Sequence, residues 1–137
     1  MININGTIFE DSDAHISSFN RGFAYGDAVF ETLKINKGKP VFWESHYFRL
    51  MASMRILRME IPMYFTPEYL EEQLVNLVES LSSEAISYRA KLTVFRDSGG
   101  YYTPETNAVS FIISASELDT DIYNILDTPF EIELFKD

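Results

Sequence analysis

The residue pattern predicts an α+β fold, an antiparallel sheet of about five to six strands packed against two helices. Three observations predict it. Segments around residues 29–36, 88–96 and 109–115 alternate apolar and polar residues, the period of a half-buried strand. Two other segments repeat apolar residues at helical spacing, through Trp43, Tyr47, Leu50, Met51, Met54 and Leu57 and through Leu70, Leu74, Leu77, Val78 and Leu81. A hydrophobic content of 46% and an aromatic content of 15% in 137 residues are enough to bury one domain core, so the chain reads as folded and not as a solvated coil.

The elements follow in order. Ile2, Ile4, Ile8 and Phe9 flank Asn5-Gly6, a dipeptide favoured in tight hairpins, so two short strands are expected there. Asp11-Ser12-Asp13 is a polar turn, and His15, which has no acid at fixed spacing, reads as structural. The stretch 20–33 then changes from a glycine-containing turn to a strand. Val29, Leu33 and Ile35 share one face with Glu31, while Phe30, Thr32 and Lys34 share the other, a face suited to the wall of a ligand site. Lys37-Gly38-Lys39-Pro40 makes a turn into the first helix. On that helix His46, Arg49 and Ser53 lie on the side away from the apolar stripe. Thr66-Pro67-Glu68 is a helix start, with a capping threonine, proline at the first position and an acid in the first turn. In the later strands Leu92, Val94 and Arg96 share a face, as do Val109, Phe111, Ile113 and Ala115. The connection 97–107 between them is long for a hairpin and is expected to be a binding loop. Residues 116–128 read as a polar, acidic linker, and 130–135 alternates once more as a strand.

Charge and composition narrow the function. Eleven basic against 21 acidic residues give a net charge of −10, which repels phosphate backbones and disfavours nucleic-acid binding. No apolar run approaches the length of a membrane span. Residues 1–6 carry no basic n-region or long apolar segment, so a cytoplasmic location is expected. With no cysteine, thiolate chemistry, disulfides and cysteine-bound metal are excluded, and no metal site is expected.

The run Arg21-Gly22-x-x-x-Gly26-Asp27-x-x-Phe30-Glu31 resembles the N-terminal signature of the fold-type IV pyridoxal-phosphate enzymes. These include branched-chain and D-amino-acid aminotransferases and aminodeoxychorismate lyase. The resemblance implies a phosphate-binding arginine in a His-x-x-Arg-Leu context, which here is His46-Tyr47-Phe48-Arg49-Leu50, and a planar guanidinium suits that role. It also implies that Arg96, in Arg96-Asp97-Ser98-Gly99-Gly100, contacts a substrate carboxylate, and that Tyr25, Phe30 and Lys34 line the substrate pocket, although both aromatics could equally be core. The arginine–glycine run is most similar to that of the lyase branch.

Some positions depart from the family's branches. Ser98 stands where the D-amino-acid enzymes carry a histidine. Lys34 and Ala90 stand where the branched-chain enzymes carry arginines. The resemblance covers residues 1–115 as a small N-terminal domain, followed by the 116–128 linker and, at 129–137, the first strand of a missing C-terminal domain. It implies pyridoxal 5'-phosphate as cofactor, an amino acid or aminodeoxychorismate as substrate, and a homodimer. The catalytic lysine is expected beyond Asp137, so that these residues alone would be inactive. Without the resemblance, the residues describe a free-standing α+β domain that binds a small anion or assembles with itself.

Overall fold

A computed structural model describes residues 1–120, 122–123 and 127–134. Six strands, β1 (Ile2–Ile4), β2 (Thr7–Phe9), β3 (Ala28–Asn36), β4 (Lys39–Pro40), β5 (Ser87–Arg96) and β6 (Val109–Glu117), form one sheet in the order β2-β1-β6-β5-β3-β4. Every pairing is antiparallel. Helices α2 (Trp43–Ile56) and α3 (Pro67–Ser80) pack on one face, and a short helix, α1 (Arg21–Tyr25), precedes β3. The expected α+β architecture of an antiparallel sheet on two main helices is therefore present.

Side-chain alternation decides which face is covered. Leu33 and Ile35 of β3, Ala90, Leu92 and Val94 of β5, and Phe111 and Ile113 of β6 point to the helices and are at most 3% exposed. Against them lie Leu50, Met51 and Met54 of α2 and Leu70, Leu74 and Leu77 of α3, all equally buried. Leu57, expected on the α2 stripe, is instead the C-cap and is half-exposed. Thr66 caps α3 by accepting the Tyr69 amide at 3.1 Å, with Pro67 in the first turn, as the sequence indicates. At the other edge, Asn5 and Gly6 both take positive φ (51° and 87°), the geometry of a tight hairpin. Buried Asn3 ties that hairpin down, donating to Gln73 of α3 at 3.1 Å and accepting the Gly6 amide at 2.8 Å.

Three further features differ from the sequence reading. The stretch read as a glycine-rich turn contains α1, capped by Asn20, whose side chain accepts the Phe23 amide at 3.2 Å, and closed by Gly26 in the left-handed region at φ 66°. Gly22 is needed there for close approach, since a Cβ would lie 3.1 Å from Phe95 Cβ and 3.0 Å from Asn20 Oδ1. β6 runs to Glu117, two residues past the expected boundary at Ala115. Finally, the strand expected at 130–135 is not formed over 130–134, which is exposed and pairs with no strand; residue 135 lies outside the described residues. Alternation supplies an amphipathic face, but a strand also needs a neighbour for its backbone groups.

Leu92 is fully buried in the central strand β5. Leu92→Ala is expected to lower unfolding free energy by about 2–5 kcal/mol in urea denaturation, through lost transfer energy and the cavity left behind.

Candidate functional site

Strand β3 carries an acid on its helix-facing side. Glu31 is 5% exposed, among residues otherwise apolar on that face. A carboxylate there demands partners, and α2 supplies two from successive turns. Arg49 Nε donates to Glu31 Oε1 at 2.7 Å and Arg49 Nη2 donates to Oε2, a two-point pair. His46 Nδ1 lies 2.7 Å from Oε2, which occupies that ring nitrogen. Burial pushes the Glu31 carboxyl up, but the hydrogen bonds and charges of Arg49 and His46 together outweigh it and hold it below its ordinary value. The same pairing raises the Arg49 guanidinium.

The Arg49 side chain is nevertheless 60% exposed, so its base is pinned while its outer edge stays open to a ligand. Next to it a cavity of about 500 Å³ is lined by Thr32, Lys34, Phe42, His46 and Arg89, among others. Lys34 lies within that cavity, donating to the Thr120 carbonyl at 3.3 Å with its ammonium 4.7 Å from the Tyr123 ring. The structure therefore gathers Lys34 and His46 in one cavity, with Arg49 joined to His46 and Glu31 at its margin.

The other expected site residues fall elsewhere. Phe30 is 60% exposed on the uncovered sheet face, stacked under the Lys91 ammonium at 4.4 Å, and lines a second cavity of about 620 Å³. Tyr25, half-exposed, lies 4.8 Å from the Arg21 guanidinium at a third cavity of about 360 Å³.

Arg96, expected to contact a substrate carboxylate, lines that third cavity with Tyr25 but is largely committed within the protein. It is 5% exposed and every nitrogen of its guanidinium is engaged: Nε with Asp27 at 2.9 Å, Nη2 with the Leu57 carbonyl at 2.6 Å, and Nη1 with Asn107 and the Arg58 carbonyl. Its even-numbered position in β5 puts it on the helix side with Leu92 and Val94, so it ties β5 to the end of α2.

Arg21 completes this second network. Its Nε also donates to Asp27 at 2.9 Å, and its Nη1 donates to the carbonyls of Gly99, Gly100 and Tyr101 at 2.8–3.2 Å, fixing the 97–107 loop. Asp27 is pushed up by burial, but hydrogen bonds and charge from both arginines outweigh this and leave it below its ordinary value. The partnership of Glu31 and the double arginine clamp on Asp27 were not read from the sequence. The signal for the first was a single acid on an apolar strand face.

The matches to known proteins follow this geometry. The amino-transferase class IV family matches residues 28–133. The chain belongs to that family. Aminodeoxychorismate lyase of Bacillus subtilis (strain 168) is 40% identical over 60 residues, covering 44% of this chain and 20% of the relative. D-alanine aminotransferase of Listeria monocytogenes (serotype 1/2a, strain 10403S) is 32% identical over 81 residues, covering 59% of this chain and 26% of the relative. Among solved structures, a T.th. branched-chain amino acid aminotransferase with pyridoxamine 5'-phosphate superposes with a TM-score of 0.72 at 25% identity, over 86% of this chain and 40% of that one. The 4-amino-4-deoxychorismate lyase of Pseudomonas aeruginosa gives 0.67 at 29% identity, over 85% of this chain and 40% of that one. The sequence alignments thus span a fifth to a quarter of the curated relatives' length, and the sheet and helices are those of the small N-terminal domain of fold-type IV enzymes.

Asp27 and Glu31 both bind fewer protons folded than unfolded near their ordinary values of 3.8 and 4.5. Their contribution to stability is therefore present at neutral pH and is lost as pH falls through and below those values. Asp27→Asn is expected to cost about 3 kcal/mol at pH 7, because two buried arginines lose their shared charge. It should also flatten the acid limb of a stability–pH curve measured by urea unfolding.

Proposed function

We propose that this chain is the N-terminal part of a pyridoxal-phosphate-dependent class IV aminotransferase or aminodeoxychorismate lyase, with Arg49 holding the cofactor's phosphate. The observation that carries this reading is the two-point anchoring of an exposed Arg49 by buried Glu31, beside a cavity that also holds Lys34 and His46. A guanidinium so anchored presents a fixed edge to a phosphate at little cost in side-chain ordering. The donors present suit a phosphoryl group: the Arg49 guanidinium, a permanent cation, and the Lys34 ammonium on the cavity wall.

When bound, the cofactor supplies an electron sink for charge developing at the substrate's α-carbon. This chain's residues bind and orient. Arg49 fixes the phosphate, Lys34 offers positive charge to an anionic substrate group, and Phe30 and Tyr25 provide apolar walls. The reacting lysine is expected beyond Asp137, so the chain alone should bind cofactor without turning substrate over. The domain reading of 1–115, linker 116–128 and a following catalytic domain belongs to the same proposal, as do an amino acid or aminodeoxychorismate substrate and a cytoplasmic location. Among the described residues no helix is long and apolar enough to cross a membrane. A homodimer is supported by exposed Ile16 and Phe23 (50% and 80%), which line the second cavity with Phe30.

Calorimetric titration of the protein with pyridoxal 5'-phosphate tests the reading. Arg49→Gln is expected to weaken binding by about tenfold or more, the loss of one charge-assisted pair. Unchanged affinity in that variant contradicts it.

A further inference from the structure

Helices α2 and α3 cover one face of the sheet, and their outward sides lie on the far side of the molecule from the exposed Phe30. α2 buries Leu50, Met51 and Met54, which leaves Phe48, Ala52 and Ile56, spaced four residues apart, along its outward side. None of the three is polar. Phe48 is 58% and Ile56 80% exposed, and Leu57, which follows, is half-exposed. A helix packed on a sheet ordinarily turns polar residues outward, so this row serves something other than the core.

Charge is divided between the same two helices. From Ser45 to Met59 there is no acid, and Arg55 and Arg58 stand exposed beside the apolar row. From Met59 to Tyr88 there is no lysine or arginine, and six glutamates occur. Three of them, Glu68, Glu72 and Glu79, fall along the outward side of α3, away from its buried Leu70, Leu74 and Leu77. The helices touch where Trp43 Nε1 donates to the Pro67 carbonyl at 3.0 Å, yet no ion pair joins their charges. Among the described residues the side chains of Arg55, Arg58 and these three glutamates have no salt-bridge or hydrogen-bond partner. One surface therefore carries an apolar, cationic strip beside an anionic one, and neither is compensated.

We propose that this outward surface docks a second copy of the chain, with α2 of each copy against α3 of the other. Adjacent strips of opposite charge match those of an identical surface related by a two-fold axis, which forms both contacts at once. An acidic protein or anionic membrane would meet the glutamates of α3 as well as the arginines of α2, and a basic partner the reverse. A partner carrying both strips answers both. Phe48 and Ile56 supply the apolar centre, and the arginines and glutamates the charged rim, which selects partner and orientation more than it adds affinity. Each helix has 14 residues and is about 21 Å long, so the pair offers a patch at the low end of specific interfaces. The association is accordingly reversible and weakened by salt. This surface is distinct from that of Ile16, Phe23 and Phe30, so a homodimer formed there leaves it free, and the inference requires neither Arg49 nor a cofactor.

Sedimentation velocity over about a hundredfold range of concentration tests the contact. The average mass is expected to rise with concentration at low salt and to fall back as salt is added. Arg55→Glu with Arg58→Glu should weaken the association by about tenfold or more, as should Glu68→Arg with Glu72→Arg, since each pair of changes sets like charges against each other in both contacts. An equimolar mixture of the two variants should associate again, because both contacts then join opposite charges. Phe48→Ser should weaken the association by about tenfold with every charge in place. All of these positions are exposed, and an unchanged urea midpoint shows that the variants remain folded. A dimer through the Phe23 surface persists in every variant and sets the baseline. A mass that never rises above that baseline, reversal variants that associate as the unaltered chain does, or a mixture that stays dissociated would each overturn the proposal.

Discussion

A carboxylate buried on the core side of β3 governs the geometry of the site. Glu31 cannot remain charged among Val29, Leu33 and Ile35 unless cations reach it, so α2 must present Arg49 and His46 at that level of the strand. This contact fixes the rotation of α2 about its axis. Its opposite stripe, Leu50, Met51 and Met54, then meets the core, and Arg49 is left at the surface with its outer edge free. Removing one member of such a group leaves a buried charge without compensation, which is why the arrangement is rigid even though an ion pair contributes little net stability.

Asp27 repeats the device four residues earlier. It gathers Arg21 from α1 and Arg96 from the end of β5, and through Arg21 it organises the carbonyls of the 99–101 loop. β3 thus begins with two carboxylates held ionised by arginines, Glu31 securing a helix and Asp27 a loop. From Phe30 onward the strand shows its opposite face, with Phe30, Thr32 and Lys34, to the uncovered side of the sheet. Core construction and ligand-facing chemistry are separated by nothing more than the alternation of a single strand.

Much of this was legible in the sequence, because period-two and period-3.6 patterns report burial directly. The faces of β3, β5 and β6, the stripes of α2 and α3, the Thr66 cap and the Asn5-Gly6 hairpin all follow from local rules. α1 was not legible because five residues are too few to display a helical period. Arg96 is instructive in another way. Its position in the row of Leu92 and Val94 already marked it as inward-facing, which accounts for its bonds to the Leu57 and Arg58 carbonyls while it still borders the cavity with Tyr25. Apart from Arg21, six residues from Asp27, the partners that satisfy Glu31 and Asp27 lie 15 to 69 residues away, which no local pattern encodes. For 130–134 the alternation was read correctly, but pairing is a property of two segments and not of one.

The most direct test of the account is a crystal structure of the protein with pyridoxal 5'-phosphate bound. The account predicts phosphate oxygens within hydrogen-bonding distance of the outer nitrogens of Arg49, with the Glu31–Arg49 pair intact behind them. A phosphate seated on Arg89 and Lys91 with Arg49 untouched would contradict it.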